Sequence, residues 1–298
     1  MDEKDTTAQP KVDPIVRGDY QEQNPGTQEV HTSNLRLDSL EEQELIEAII
    51  LLENPGLAAK ITTFVGTPIE KGISLLPEGF RNKIMDVTHS ALLKATEAAM
   101  MTIKDRSKQP ASNRWHKFGV ALSGGIGGFF GLGAIAVELP ISTTMMLRSI
   151  ADIARAEGEN LNDNETKLAC LQVFAMGGNT ADDDKVDSGY LAVRTALAQS
   201  IKNIGQAATS KLISDETAPL VLKIITKVAE RFSIQVTEKA AAQAIPAIGA
   251  AGGAIVNTLF IDHYQDMAQG HFTIRRLERK HGKELIQARY MELLKTGK

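Results

Sequence analysis

From residue 38 onward, apolar residues recur three and four positions apart, the spacing that lines one face of a helix. No run alternates with the period of two that a half-buried strand requires, so the pattern predicts an all-α, multi-helix bundle. Ser39 followed by Glu42 has the spacing of a capping box and opens a helix whose apolar face carries Leu45, Ile49 and Leu52. Asn54-Pro55-Gly56 stops it, and a second helix covers 57–65. Gly66, Pro68, Gly72 and Pro77 then break the chain repeatedly. Helical spacing resumes over 79–103, where Ile84, Val87, Ala91, Leu92, Ala95 and Ala98 fall on one side.

Polar stretches mark the connections. Residues 105–113, with Pro110, read as a link, and 177–187 as an acidic loop. Helices are expected over 141–158, 164–176 and 189–212. Ser214 is a good N-cap for one or two helices over 217–236, with Pro219 in the first turn. A basic helix over 273–294 carries Arg275, Arg276, Arg279, Lys280 and Lys283. Residues 1–37 are rich in Asp, Glu, Gln, Thr and Pro and show no apolar periodicity. They predict a disordered N-terminal tail ahead of a helical domain over 38–298.

Two runs stand apart from the amphipathic pattern. Residues 118–137 carry no charge, are closed by Glu138 and Pro140, and are long enough to test as a membrane span. Residues 240–261 form a second apolar run, interrupted by Pro246 and closed by Asp262. Each glycine in a helix interior costs roughly 1 kcal/mol relative to Ala, so such a load needs a compensating contact. Gly124 and Gly128, Gly127 and Gly131, and Gly249 and Gly253 are each four apart, which leaves a smooth groove where another backbone can approach. The expectation is that the two glycine- and alanine-rich segments pack together. The same run admits a membrane-inserting hairpin, whose tip would be Phe129, Phe130 and Leu132.

Composition narrows the classes. A net charge of −4 gives no general reason to bind nucleic acid. With 5% aromatics, the core must be filled by Leu, Ile, Val, Ala and Met. Cys170 is the single cysteine, which fits a reducing compartment, and on a helix it reads as an inert core residue. The polar, acidic start is unlike a secretory signal.

Candidate chemistry is thin. The histidines, His31, His89, His116, His263, His271 and His281, form no HExxH or Cys/His zinc pattern. Asp262, His263 and Asp266 are the best cluster, with the two carboxylates one turn apart, but a metal needs further ligands. Asp182, Asp183, Asp184 and Asp187 lack the ligand order of an EF-hand. Gly131-Leu132-Gly133 has no preceding strand, and no Gly-Lys-Ser/Thr occurs, so no nucleotide loop is expected. Ser123 lacks a nucleophile-elbow frame. Thr143 and Thr144 are expected to bond preceding helix carbonyls. Glu138, Arg148 and Asp152 lie in or beside apolar sequence, where charges are costly unless paired. Arg148 and Asp152 are spaced to pair, and Arg155 can extend the set. No catalytic residue, cofactor or metal site is assigned.

The uncharged run, then Glu138-Leu139-Pro140, then LRSIADIARAEGE over 147–159, resembles the central signature of the EcsC family. IPAIGAAGGAIVNTLF over 245–260 and FTIRRLE over 272–278 continue the resemblance in order. The family is named for a protein encoded beside an ABC-type exporter, and its members share no agreed activity. Glu138 stands where many relatives would carry Asp. The resemblance implies a bacterial, cytoplasmic protein, peripheral to the inner membrane, that meets membrane lipid or a membrane protein. The function expected is a non-enzymatic accessory or interaction role near that membrane, linked to transport or secretion. The alternative is a hydrolase-type enzyme with a polar site around Glu138, Arg148, Asp152, Asp262 and His263.

A chain beginning at Leu37 should unfold cooperatively at the melting temperature of the whole chain, as read by circular dichroism. Loss of the cooperative transition would contradict the assignment of 1–37 as dispensable.

Overall fold

Ten α-helices and one short 3-10 turn form among the described residues, with no strand. The computed structural model describes residues 37–53, 56–103, 132–177, 189–207, 218–245 and 249–296. The helices are α1 (Ser39–Glu53), α2 (Leu57–Val65), α3 (Ile69–Ser74) and α4 (Phe80–Ile103), then α5 (Leu132–Ala156), α6 (Asn164–Gln172) and α7 (Gly189–Ala207). After them come α8 (Ala218–Ala244), α9 (Gly249–His281) and α10 (Lys283–Thr296), and the 3-10 turn at Val173–Ala175 follows α6. The expected tail, Gly124, Gly127, Gly128, Gly131, Phe129, Phe130, the acidic loop and Ser214 lie outside the described residues. Leu132 is the first residue of α5.

Several boundaries differ from the spacing argument. The capping box of α1 is shifted by one residue: Asp38 Oδ1 accepts from the Glu41 amide at 2.8 Å, and the Asp38 amide donates to Glu41 Oε2 at 3.4 Å. Both registers satisfy the same spacing. The stretch of breakers after α2 still contains the six-residue α3. Pro140 does not end a helix but sits inside α5. Asp262 does not end one either, because it lies on the exposed side of α9, where a charge costs nothing. α9 instead runs for 33 residues, roughly 50 Å. It absorbs the start of the expected basic helix and stops at Gly282, whose φ of 91° an L side chain rarely adopts. Thr144 Oγ1 donates to the Pro140 carbonyl at 2.7 Å, as expected, while the buried Thr143 hydroxyl has no partner among the described residues.

α9 is the spine, and α1, α2, α5, α8 and α10 all pack on it. Its register with each neighbour is set by specific contacts. Gly270 faces Ala48 and Leu52 of α1, Asp266 pairs with Lys60 of α2, and Gln265 reaches Ser149 of α5. On α8, Gln235 meets Tyr264 and Lys239 lies over Phe260, so α8 runs antiparallel to α9. α5 packs on α9 in the same sense as α9 runs, from Glu138 near Phe260 to Glu157 at Gln269. α5 also packs extensively on α4.

The centre is aromatic despite the low aromatic content. Phe174, Phe232, Phe260 and Tyr264 are fully buried, with ring centroids 4.9 Å apart for Phe174–Phe232 and 5.2 Å for Phe260–Tyr264. Each contributes roughly 1.5–3 kcal/mol by burial, with a smaller gain from tilted ring contacts. The one polar tip is satisfied: Tyr264 donates to Gln235 Oε1 at 2.6 Å, and the Gln235 amide donates to the Met176 carbonyl at 2.9 Å.

Among the described residues, tight backbone crossings lie at Gly270 and Gly72, while Gly124, Gly127, Gly128 and Gly131 fall outside them. A Cβ on Gly270 would sit 2.6 Å from Leu52 Cγ and 2.9 Å from the Ala48 carbonyl. A Cβ on Gly72 would collide with the Ala241 carbonyl. At Gly253 no described atom lies within 4 Å, so no close crossing by a described backbone explains that glycine. Gly249 is only the first residue of α9.

Gly270→Val should lower stability by about 1–3 kcal/mol through overpacking between α1 and α9. Gly253→Ala should be neutral or stabilising by up to about 1 kcal/mol, since it improves helix propensity in open space. Thermal melts of both variants check the pair.

Candidate interaction site

The charged residues gather at one end of the spine. Glu41 of α1 takes Lys280 at 2.5 Å and His281 at 2.9 Å. Those two hydrogen bonds, His281 first, hold the Glu41 carboxyl down at about 2 against its burial. Glu42 pairs with Arg289 of α10, and Arg276 bridges Glu44 of α1 at 3.1 Å and Glu157 after α5 at 2.7 Å. Glu159 is buried and takes Arg275 at 2.7 Å, Arg279, and the Thr166 hydroxyl at 2.9 Å. Burial alone would raise its carboxyl, but the Arg275 hydrogen bond and charge, with Thr166 and Arg279, hold it below the usual range. The cations of this stretch of α9 are paired with glutamates, although Arg279 and Lys280 remain exposed to solvent. Its arginines tie α1, α6 and the turn after α5 to the spine.

Two buried histidines sit further along α9. His271 Nδ1 lies 3.1 Å from the Tyr190 hydroxyl, which also accepts from Arg194 at 3.2 Å, and Arg194 forks onto Glu278 at 2.8 and 2.5 Å. Burial drives the imidazole well below its usual value and pushes the Tyr190 hydroxyl up to about 12. The neutral ring carries a single proton, and its Nε2 has no partner among the described residues. His263 packs under Gly177 beside Met267, with neither nitrogen bonded among the described residues. Burial, then the nearby Lys60, lower its value to about 3. Cys170 is buried, and burial pushes its thiol up to about 12, which leaves no nucleophilic thiolate.

The polar residues expected to form one group do not converge. Glu138 pairs with Lys239 of α8 at 2.6 Å, and Lys239 Nζ lies 4.8 Å from the Phe260 ring centre. Arg148 and Asp152 lie ten and fourteen residues further along α5, about 15 and 21 Å down its axis. The expected Arg148–Asp152 pair is replaced by Asp152 with Arg155 at 3.6 Å, and Arg148 Nε is buried without a partner among the described residues. Asp262 is exposed on α9, and burial, then Asp266, raise its carboxyl while Lys60 opposes them. Among the described residues no three His, Cys, Asp or Glu side chains gather in a way that would hold a metal.

Away from the charged end, the last turns of α8, the early turns of α5 and α9, and α3 meet, since Gly72 rests on Ala241 and Lys239 joins Glu138 to Phe260. Seven large apolar side chains are exposed among the described residues: Phe64, Leu75, Ile141 and Ile255, and also Leu40, Ile50 and Leu222. Sequence reasoning missed Lys239, which stands between Glu238 and three alanines. It also missed Glu159 and Arg194, which carry no local signal because their partners are far away in the chain.

The fold defines a helical bundle built on one long spine, with a cluster of arginine–glutamate pairs toward one end. Residues 53–277 match the model of the EcsC protein family, about three quarters of the 298-residue chain, and the chain belongs to that family. The comparisons with curated proteins and with solved structures give no match.

Glu159→Ala should cost roughly 3 kcal/mol by leaving Arg275 with only its longer contact to the exposed Glu165 at 3.4 Å. Stabilisation from Glu41 is complete above the ordinary carboxyl value of 4.5 and is lost as pH falls toward about 2. Glu41→Gln should therefore lower the melting temperature at neutral pH, and its gap from the native chain should close on acidification. A pH series of thermal melts checks both.

Proposed function

We propose that the protein is a non-enzymatic interaction module that rests on the cytoplasmic face of a membrane through exposed apolar side chains and serves transport or secretion there. The observation that carries this is the exposure of Phe64, Leu75, Ile141 and Ile255. Full burial of such side chains contributes roughly 1.5–3 kcal/mol each, and about half of that remains available to partly exposed ones, enough for reversible association. The uncharged run over 118–137 adds apolar sequence, and Phe129, Phe130 and Leu132 are the residues within it suited to touch lipid. Among the described residues no single helix is long and apolar enough to cross a membrane, so the reading is one of resting on the surface. The hydrolase alternative loses support because Glu138 and Asp152 are engaged in separate helix contacts and His263 is sealed under Gly177.

Flotation with phosphatidylcholine vesicles, with and without phosphatidylglycerol, tests it. The native chain should float with lipid, and Phe64→Ser, Leu75→Ser and Ile141→Ser combined should release it with an unchanged circular dichroism spectrum. Absence of native binding, or binding unaffected by the triple change, would overturn the reading.

A further inference from the structure

One buried polar side chain of the spine has no use in the fold. His263 of α9 is 1% exposed, and neither of its ring nitrogens meets a hydrogen-bond partner among the described residues. Buried polar atoms without partners are costly and uncommon, so a ring with two of them points to something that the protein alone does not supply. Met267 follows four residues later and is equally buried, which places it beside His263 on one face of the helix.

Both side chains look at the same spot. A Cβ built on Gly177 would fall 2.5 Å from His263 Nε2 and 3.0 Å from Met267 Sδ. An imidazole nitrogen and a thioether sulfur therefore converge on the face of one glycine, where any side chain would cover them. Gly177 is at φ 72° and is itself half-buried, so the spot lies just beneath the surface. The chain leading to it is held from α8: Arg231 donates to the Ala175 carbonyl at 3.0 Å and Gln235 to the Met176 carbonyl at 2.9 Å.

The chemistry of the pair is specific. Burial, then Lys60, keep the imidazole neutral, so one ring nitrogen holds a free lone pair. The thioether is neutral, polarisable and a poor hydrogen-bond acceptor. Neutral nitrogen with neutral sulfur suits a soft ion of low charge; zinc asks for four ligands, and calcium and magnesium ask for oxygens. The charges nearby agree with a single positive ion. Asp262 and Asp266 lie on the adjoining face of α9, and the only cation paired with them is Lys60, at 3.0 Å from Asp266.

We propose that His263 Nε2 and Met267 Sδ form a binding site for a soft monovalent cation, Cu(I) or Ag(I), with Gly177 as its cover. The imidazole gives its Nε2 lone pair to the ion and keeps its one proton on Nδ1, and the sulfur supplies the second donor. The ion binds without change of oxidation state. Entry requires only that the Gly177 backbone shift away from the two donors. The site is independent of whether the exposed apolar side chains meet a membrane.

Anaerobic titration of the full chain with Cu(I), read as withdrawal of the ion from its coloured bicinchoninate complex, tests the site. A Cys170→Ala background removes the one thiol that could compete. That chain should take up Cu(I), show both nitrogen and sulfur neighbours by X-ray absorption, and melt at a higher temperature with the ion than without it. Met267→Leu, which conserves volume, and His263→Phe should each weaken uptake by at least about tenfold in the same background. Both should lose the copper-dependent rise in melting temperature. Failure of the Cys170→Ala chain to withdraw Cu(I), a copper environment without sulfur, or uptake undiminished by Met267→Leu would overturn the proposal. If His263→Phe fails to fold, Met267→Leu carries the same test, with its fold checked by circular dichroism.

Discussion

Burying a helix as long as α9 sets the terms for everything around it. Such a helix presents side chains in every direction, and many of them here are inside: Phe260, His263, Tyr264, Met267, His271, Phe272, Ile274 and Leu277 are all buried. A helix covered on that many sides needs neighbours on all of them, which is why α1, α2, α5, α8 and α10 converge on it. It also needs an answer for its polar residues. Tyr264 finds Gln235, the arginines find glutamates, and His271 is neutral against Tyr190. His263 is the exception, and its cost is limited by remaining uncharged.

The ionic contacts work because they are long-range. Surface pairs within one helix contribute little, but an arginine that reaches a buried carboxylate on another element fixes the position of that element. Arg276 reaches two part-buried carboxylates, joining α1 and the turn after α5 through one guanidinium. Glu159, which is buried, does the reverse, gathering Arg275 and Arg279 from one helix face onto the turn that closes α5. The same charges, spread over solvent, would have made a patch. Bound to each other, they make a clasp.

The helical class, the positions of α2, α4 and α6 and the family were legible because period and motif are local properties. The lengths of α5 and α9 were not, because Pro140 and Asp262 look like stops when only neighbours in sequence are considered. Pro140 is tolerated inside α5, and Asp262 only has to face outward. The close crossings at Gly72 and Gly270 were hidden for a related reason. Spacing shows which glycines could form a groove, but only the register between two helices shows which one meets a backbone. Charges suffered most. Glu138 was visible as a costly residue, yet its partner Lys239 lies 101 residues away, so proximity in sequence suggested Arg148 instead.

The clasp between α1 and the end of α9 has a consequence for how the chain acquires its structure. Glu41 and Lys280 are separated by 239 residues. During synthesis, α1 leaves the ribosome with its acidic face and the Ala48–Leu52 surface uncovered, and it must wait for nearly the whole bundle before Gly270 and the basic turns arrive. Contacts of such separation form late and slowly compared with the local turns of each helix. The segment matched by the family begins at Glu53 and ends at Leu277, so Glu41, Lys280 and Arg289 fall outside it. The contacts of α1 and α10 with the end of the spine can therefore close only once translation has passed α9.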